Sequence, residues 1–196
     1  WIKNNHPHVY NKAKRIMLFE DYIVYMLTGT SQIDRSLAAR TMALDIKKCE
    51  WSKKLFDFAG IDISKMSKVV KAGTVAGQVK DNLKAELGLS NTVIVSGSHD
   101  QVASACGAGA LEVGYAVDGT GTVECVTPVF GEIPDKKEVY DGGYSVVPYI
   151  NDGQYVCYAL SFTGGAAIKW FRDNFAAGMS YDELNALVTD AVGDVL

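Results

Sequence analysis

Thr92-Val93-Ile94-Val95-Ser96-Gly97-Ser98-His99-Asp100-Gln101 is the stretch on which the fold turns. Its β-branched run lacks polar alternation, which predicts a strand buried on both faces, as in the middle of a sheet in an α/β domain. Ser96 to His99 then turn the chain, and Asp100 stands where a helix of small residues begins, Gln101 to Ala110. Strand, tight turn and helix together put a carboxylate at the carboxyl end of a strand, where α/β proteins place their active sites. The positive end of the helix also favours the ionised form that a general base or a magnesium ligand needs. The plainer reading makes Asp100 an N-cap that accepts backbone N–H groups, and the stretch alone leaves both open. His99 is not read as the partner of Asp100 in a dyad, because neighbouring side chains in an extended segment point apart.

Upstream, Ile16, Phe19, Ile23 and Met26 recur at helical spacing and predict one inward face of a helix within residues 10–28, stopped by Gly29. A short helix is expected over Trp51 to Ala59 with Trp51, Leu55 and Phe58 inward and Gly60 at its end. Lys65 to Lys71 reads as a solvated loop, Gly77-Gln78-Val79 as a strand, and Lys80 to Leu87 as a helix closed by Gly88.

Downstream of Gly114 the texture changes. Strand-like runs at Tyr115 to Asp118, Val123 to Val129, Tyr144 to Pro148 and Tyr155 to Leu160 alternate with turn residues, and Asn151-Asp152-Gly153 is a hairpin signal. A helix is expected from Gly164 to Phe175, and Ser180-Tyr181-Asp182-Glu183 has the pattern of a capping box. A domain junction is placed at about residue 114. Two glycine-rich turns could carry chemistry. Gly119-Thr120-Gly121-Thr122 offers backbone amides and hydroxyls to phosphate oxygens, or is only a hairpin turn. Thr163-Gly164-Gly165-Ala166-Ala167 opens a helix that could accept a nucleotide, or its small residues serve only packing.

Composition narrows the classes. The 196 residues carry 19 Lys+Arg against 23 Asp+Glu, a net charge of −4, which disfavours nucleic acid or an anionic membrane as partner. Hydrophobic residues make up 48% and charged residues 21%, the profile of a chain that buries a core. No apolar run approaches the ~18 residues that a bilayer demands. Cys49, Cys106, Cys125 and Cys157 are scattered with no Cys-x-x-Cys pair, so they read as reduced, cytosolic thiols and not as a disulfide framework or zinc site. His6-Pro7-His8 lacks carboxylate or cysteine companions for a metal. The start at Trp1 and the last turn, Asp190 to Leu196, read as the ends of a piece of a longer protein.

Taken in order, these passages resemble the FGGY carbohydrate kinases. Phe19-Glu20-Asp21-Tyr22-Ile23 through Leu27-Thr28-Gly29, with Asp34, Ser36, Ala38-Ala39-Arg40-Thr41-Met42 and Asp45-Ile46, is similar to one family passage, and Glu50 to Leu55 to the Trp-led helix that follows it. Gly73 to Gly77 resembles the segment before the central strand. Ser96-Gly97-Ser98-His99-Asp100-Gln101 resembles the catalytic passage, with His99 where several members carry Gly. Gly119 to Thr122 resembles the second phosphate loop, and Ser161 to Asp173 the opening helix of the C-terminal domain.

The resemblance implies an α/β, ribonuclease H-like or actin-like ATPase fold in a two-domain kinase. Residues 1–114 would be the later part of the sugar-binding N-terminal domain, and residues 115–196 the start of the nucleotide-binding C-terminal domain. It implies ATP and Mg²⁺ as cofactors and a sugar or polyol as substrate, with a ketopentose such as xylulose first and glycerol second. Asp100 would be the catalytic base, close to magnesium and to the substrate. Gln101 would touch substrate hydroxyls. Gly119, Thr120 and Gly121 would hold the ATP phosphates, and Gly164, Gly165 and Lys169 would line the nucleotide side. A cytoplasmic protein that meets no nucleic acid or membrane fits this reading, and a homodimer of the whole protein is compatible with it. The family's first phosphate loop is absent from this stretch. A non-catalytic sugar or nucleotide sensor of the same fold, or a structural α/β domain whose glycines only make turns, are the rival readings.

Overall fold

A computed structural model describes residues 1–188; the expectation about Asp190 to Leu196 lies outside the described residues. Two helical turns, α1 (Ile2–Asn5) and α2 (Pro7–Lys12), lead to α3 (Phe19–Thr28), which Gly29 ends in the left-handed conformation at φ 85°. Strand β1 (Gln32–Asp34) is followed by α4 (Arg35–Arg40), whose N-cap is Asp34. Strands β2 (Leu44–Asp45) and β3 (Glu50–Trp51) form an antiparallel pair ahead of α5 (Lys53–Ala59). Strand β4 (Lys68–Val70) runs parallel to β1, and β5 (Val75–Gln78) is antiparallel to β6 (Val93–Val95), with α6 (Asp81–Leu87) between them. The chain then enters α7 (Asp100–Gly107).

Four expectations for this part are overturned. The 92–95 strand is neither in the middle of a sheet nor enclosed: among the described residues it pairs only with β5, and Val93 and Val95 are 50% and 47% exposed. The Lys-rich stretch is not all loop, because Lys68 to Val70 complete the parallel pair with β1. In α3 the apolar stripe faces out, with Phe19 at 86% exposure, while Asp21 and Val24 are buried. Asp21 can turn inward because Ser67 donates a hydroxyl hydrogen bond to its carboxylate. Ile16 precedes the helix and bridges to Met66. In α5, Phe56 is buried against the edge of Trp51, and Leu55 and Phe58 face out.

Beyond Gly114 the expectations hold more closely. Strands β7 (Ala116–Thr120), β8 (Glu124–Phe130), β9 (Ser145–Pro148) and β10 (Tyr155–Ser161) form one sheet in the order β7-β8-β10-β9, every pair antiparallel. A short helix, α8 (Lys136–Asp141), precedes β9, and α9 (Gly164–Phe175) and α10 (Tyr181–Val188) follow β10. The Ser180–Glu183 box is formed: Glu183 N donates to Ser180 Oγ at 3.2 Å, and Ser180 N to Glu183 Oε2 at 2.7 Å.

One core joins the two stretches. Val102 and Ala105 of α7, with Ala110, pack on Val129, Val147, Tyr149 and Val156 of the sheet side, and Tyr149 Oη donates to the Ala110 carbonyl at 2.8 Å. Each valine enclosed in this way stabilises the fold by ~1.5–3 kcal/mol. The packing seats the start of α7 against one end of the sheet. All four cysteines are free, and no helix among the described residues is long and apolar enough to cross a membrane.

Candidate functional site

The Ser96–His99 turn is held from two sides by buried polar side chains. Gln32 Nε2 donates to Ser96 Oγ at 2.9 Å and to the Thr74 carbonyl at 3.0 Å. Ser36 Oγ accepts from His99 N at 2.8 Å and donates to Asp34 Oδ2 at 2.7 Å. Asp34 also accepts from Ser36 N at 2.7 Å and Leu37 N at 3.0 Å, so it caps α4 and anchors the turn at once. Burial raises the Asp34 carboxyl above its ordinary range against the pull of those donors.

Asp100 is the first helical residue of α7 and not its cap; His99 occupies the cap position. Asp100 Oδ1 accepts from Gln101 N at 2.7 Å and lies 3.1 Å from His99 Nδ1. The expectation that the two side chains point apart is therefore corrected. It assumed an extended pair, but His99 is extended and Asp100 helical, which swings the carboxylate back over the helix end. The His99 ring stacks on Tyr158 of β10 with centroids 5.2 Å apart and planes at 30°. Burial holds this imidazole below its usual range, Arg40 adds to that, and Asp100 and Asp34 oppose it. The Tyr158 phenol is itself buried and pushed up, and the Arg40 guanidinium lies 5.7 Å from its ring centre.

The sequence-predicted residues fall at one end of the four-stranded sheet. Gln101 Oε1 is 3.9 Å from where a side chain on Gly119 would begin, so the start of α7 abuts the β7–β8 turn. On the other side of that turn sits the start of α9. Gly165 N donates to the Gly121 carbonyl at 2.7 Å and Ala166 N to the Thr122 carbonyl at 3.2 Å. A Cβ on Gly165 would come within 2.7 Å of Gly121 O, and one on Gly164 within 2.9 Å of Val123 C, so both positions exclude any larger residue. A cleft of about 540 Å³ opens here, lined among others by Gly121, Thr122, Gly165, Lys169 and Asp173. Two features depart from the expected phosphate cradle. The amides of Gly165 and Ala166 are committed to the turn, and the Lys169 ammonium is paired with Asp173 one helical turn on. The hydroxyls of Thr120 and Thr122 make no hydrogen bond among the described residues.

Reading the sequence missed Tyr158 and gave Asp34 and Ser36 no structural role; the Asp-x-Ser pattern at a helix start was the available signal. It also missed Glu20. Both Glu20 oxygens are enclosed without a hydrogen bond of sound geometry, and burial, with the charges of Asp34 and Asp21, raises this carboxyl to about 7. Glu20 lines a separate, largely apolar cavity of about 710 Å³ beside α3, with Phe19, Tyr22 and Leu37. Among the described residues no group of three or more His, Cys, Asp and Glu is placed to hold a metal ion.

Residues 1–107 match the family model for the FGGY family of carbohydrate kinases, N-terminal domain. The chain is 31% identical over 190 residues to a xylulose kinase of Lactococcus lactis, covering 94% of this chain and 36% of that protein. It is 29% identical over 180 residues to an autoinducer-2 kinase of an Enterobacter species, covering 90% and 33%. The chain thus spans about a third of the length of these relatives. Among solved structures, a Brucella ovis xylulose kinase superposes with a TM-score of 0.83 at 23% identity over 98% of this chain and 39% of that one. Plasmodium falciparum glycerol kinase with ADP gives 0.80 at 19% identity over 96% and 38%. The actin-like ATPase architecture expected from the sequence is thereby shown, and with the family model matching more than half of its residues, this chain belongs to the FGGY family of carbohydrate kinases.

Proposed function

We propose that the whole protein moves the terminal phosphoryl group of ATP to a hydroxyl of a sugar or polyol, with a ketopentose such as xylulose as first candidate and glycerol as second. Residues 1–114 belong to the sugar side and those from 115 to the nucleotide side. The observation that carries the reading is the convergence of Asp100, Gln101 and the Gly119–Thr122 turn at one end of a sheet, with Gln101 against Gly119. The xylulose kinase relative favours the ketopentose, and the autoinducer-2 kinase relative at nearly equal identity keeps other phosphate acceptors in view.

The residues present fit MgATP in part. Asp100 is 82% exposed in its side chain and engages protein donors through Oδ1 only, so Oδ2 is available to a ligand. With no group of three or more His, Cys, Asp and Glu placed for a metal among the described residues, magnesium near Asp100 would draw most of its ligands from phosphate and water, its usual habit in kinases. When bound, MgATP supplies the transferable phosphoryl group and neutralises its developing charge. Asp100 takes the proton from the attacking hydroxyl. Gln101 orients neighbouring hydroxyls. Thr120 and Thr122 donate to phosphate oxygens beside Gly119 and Gly121, Gly164 and Gly165 let α9 approach the turn, and Lys169 reaches phosphate by exchanging its Asp173 partner. A cytoplasmic setting suits free thiols and a soluble phosphate donor.

Asp100→Asn in the whole protein is the direct test. Turnover is expected to fall ~10²–10⁴-fold, the usual worth of general-base help, with ATP affinity by calorimetry nearly unchanged. Turnover within tenfold of the parent would remove Asp100 from the role. Thr120→Val and Gly121→Val should raise KM for ATP more than KM for the sugar. At Gly121 a new Cβ meets nothing closer than Val123 O at 3.7 Å, so Gly121→Ala, which adds that carbon alone, is the control that separates the ligand from folding.

A further inference from the structure

We propose that Ser36 is a positioning residue whose hydroxyl holds the backbone from which Asp100 springs; this rests on the reading of Asp100 as the base. The Asp100 side chain is 82% exposed, and among the described residues its carboxylate accepts a hydrogen bond only from Gln101 N, 2.7 Å away in the same helical turn. A group anchored only to its own turn goes where that turn goes. The place of the carboxylate is therefore the place of the first turn of α7.

The rear of that turn is set by Val102 and Ala105 in the shared core, and its front by the amide of His99, which donates to Ser36 Oγ at 2.8 Å. A hydroxyl has one proton to give. The Ser36 proton goes to Asp34 Oδ2 at 2.7 Å, which leaves the oxygen's lone pairs for the amide. Both side chains are buried, Asp34 at 2% and Ser36 at 1% exposure, so water does not compete for either bond. Carboxylate, hydroxyl and amide thus link the start of α4 to the residue before Asp100. At the other end of the Ser96–His99 turn, Gln32 Nε2 holds Ser96 Oγ at 2.9 Å, four residues short of the base. The Ser36 hydroxyl is dispensable to α4 itself, because without it Asp34 still accepts from the amides of residues 36 and 37 and the cap survives. A base must sit within about 0.5 Å of its productive place, and a displacement of ~1 Å can cost ~10²-fold in rate.

Two serine substitutions in the whole protein separate aim from stability. For Ser36→Ala we expect kcat to fall about 10- to 100-fold while KM for ATP stays within about threefold, since the glycine turn is untouched. Ser67→Ala is the control. Ser67 is also 1% exposed and also donates to a buried carboxylate, that of Asp21, but it makes no hydrogen bond to the Ser96–His99 turn. Both variants should unfold at lower urea concentration, and only Ser36→Ala should lose kcat. An unchanged kcat in Ser36→Ala, or a loss in Ser67→Ala of the same size, would overturn the proposal, the second because general loosening would then explain both. In an Asp100→Asn background, Ser36→Ala should cost less than about threefold more; a second loss of the original size would show that Ser36 acts independently of Asp100. Should Ser36→Ala fail to fold, Ser36→Cys decides, because a thiol is close in shape and a weak acceptor. A kcat at least about fivefold below the parent then supports the proposal, and anything nearer the parent overturns it. If Asp100→Asn alone turns over near the parent rate, the base assignment falls and this proposal falls with it. A normal Ser36→Ala beside a dead Asp100→Asn removes Ser36 alone.

Discussion

The residues before Asp100 and those after it are built by different means. Among the described residues six buried polar side chains (Asp21, Gln32, Asp34, Ser36, Ser67 and Ser96) lie in the first stretch, against Thr127 alone in the second. The first stretch has three separate two-stranded sheets stitched by those side chains, and much of its apolar surface faces out. The second has one four-stranded sheet in which β8 buries Cys125, Thr127 and Val129 at alternate positions. Apolar packing tolerates substitution of similar volume, whereas a buried hydrogen-bond network fails when one member is lost. The candidate base sits where the two constructions meet.

The largest expected effect separates them. Asp34→Ala removes the cap of α4 and the acceptor for Ser36, and should cost about 2–4 kcal/mol. Turnover should drop as well, because Ser36 then loses its hold on His99. Val156→Ala opens a void in the sheet core for about 2 kcal/mol and should leave kcat unchanged. Urea unfolding and kinetics of the two variants make the comparison, and an unaffected kcat in Asp34→Ala would break it.

A smaller effect concerns Glu20, whose carboxyl is raised to about 7 by burial first and then by Asp34 and Asp21. The folded protein binds this proton more tightly than the unfolded chain. The contribution is therefore fully present below the ordinary glutamate value and is lost as pH rises through about 7. With the side chain only half-buried, solvent screening limits it to about 1–2 kcal/mol. Stability should fall between pH 5 and pH 8, and Glu20→Gln should flatten that fall and be the more stable form at pH 8. Identical pH dependence in parent and variant would exclude Glu20 as the source.

The smallest effect tests a contact between the two stretches. Asp152 in the β9–β10 hairpin pairs with Arg35, at 2.7 Å, and with Lys71. Asp152 is 66% exposed although Arg35 is partly covered, so Asp152→Asn should lower the melting temperature slightly in low salt and less in high salt. A large, salt-independent loss would mean that the stretches depend on this hairpin far more than their shared core implies.

What could be read from the sequence divides along the same line. Strands β7 to β10, helix α9 and the Ser180 box follow local periodicity and capping, and local rules suffice there. In α3 the spacing of Phe19, Ile23 and Met26 pointed to the wrong face, because the inward position of Asp21 depends on Ser67, 46 residues away. The 92–95 strand misled for a related reason: an apolar run shows that cover is needed but not which element provides it. At the candidate site Asp100, Gln101 and the glycine turns were legible as local patterns. Tyr158 was not, since only folding brings β10 to His99. The pairing of Lys169 with Asp173 was legible at i,i+4 spacing, and it qualifies the role given to that lysine.

The two hydrogen bonds from Gly165 and Ala166 to the Gly121 and Thr122 carbonyls, with no room for a side chain between, make the β7–β8 turn and α9 a single rigid body. Neither can rock without the other. The linker at 108–115 is tied to the sheet as well: the Ala110 carbonyl accepts from Tyr149 Oη at 2.8 Å, the Leu111 carbonyl from Gln154 Nε2 at 3.2 Å, and Gly114 N donates to the Val129 carbonyl at 3.0 Å. The start of α7 and the β7–β8 turn, which face each other across the candidate site, are thus both fastened to the same four strands, the one through its linker and the other through the weld at Gly164 and Gly165.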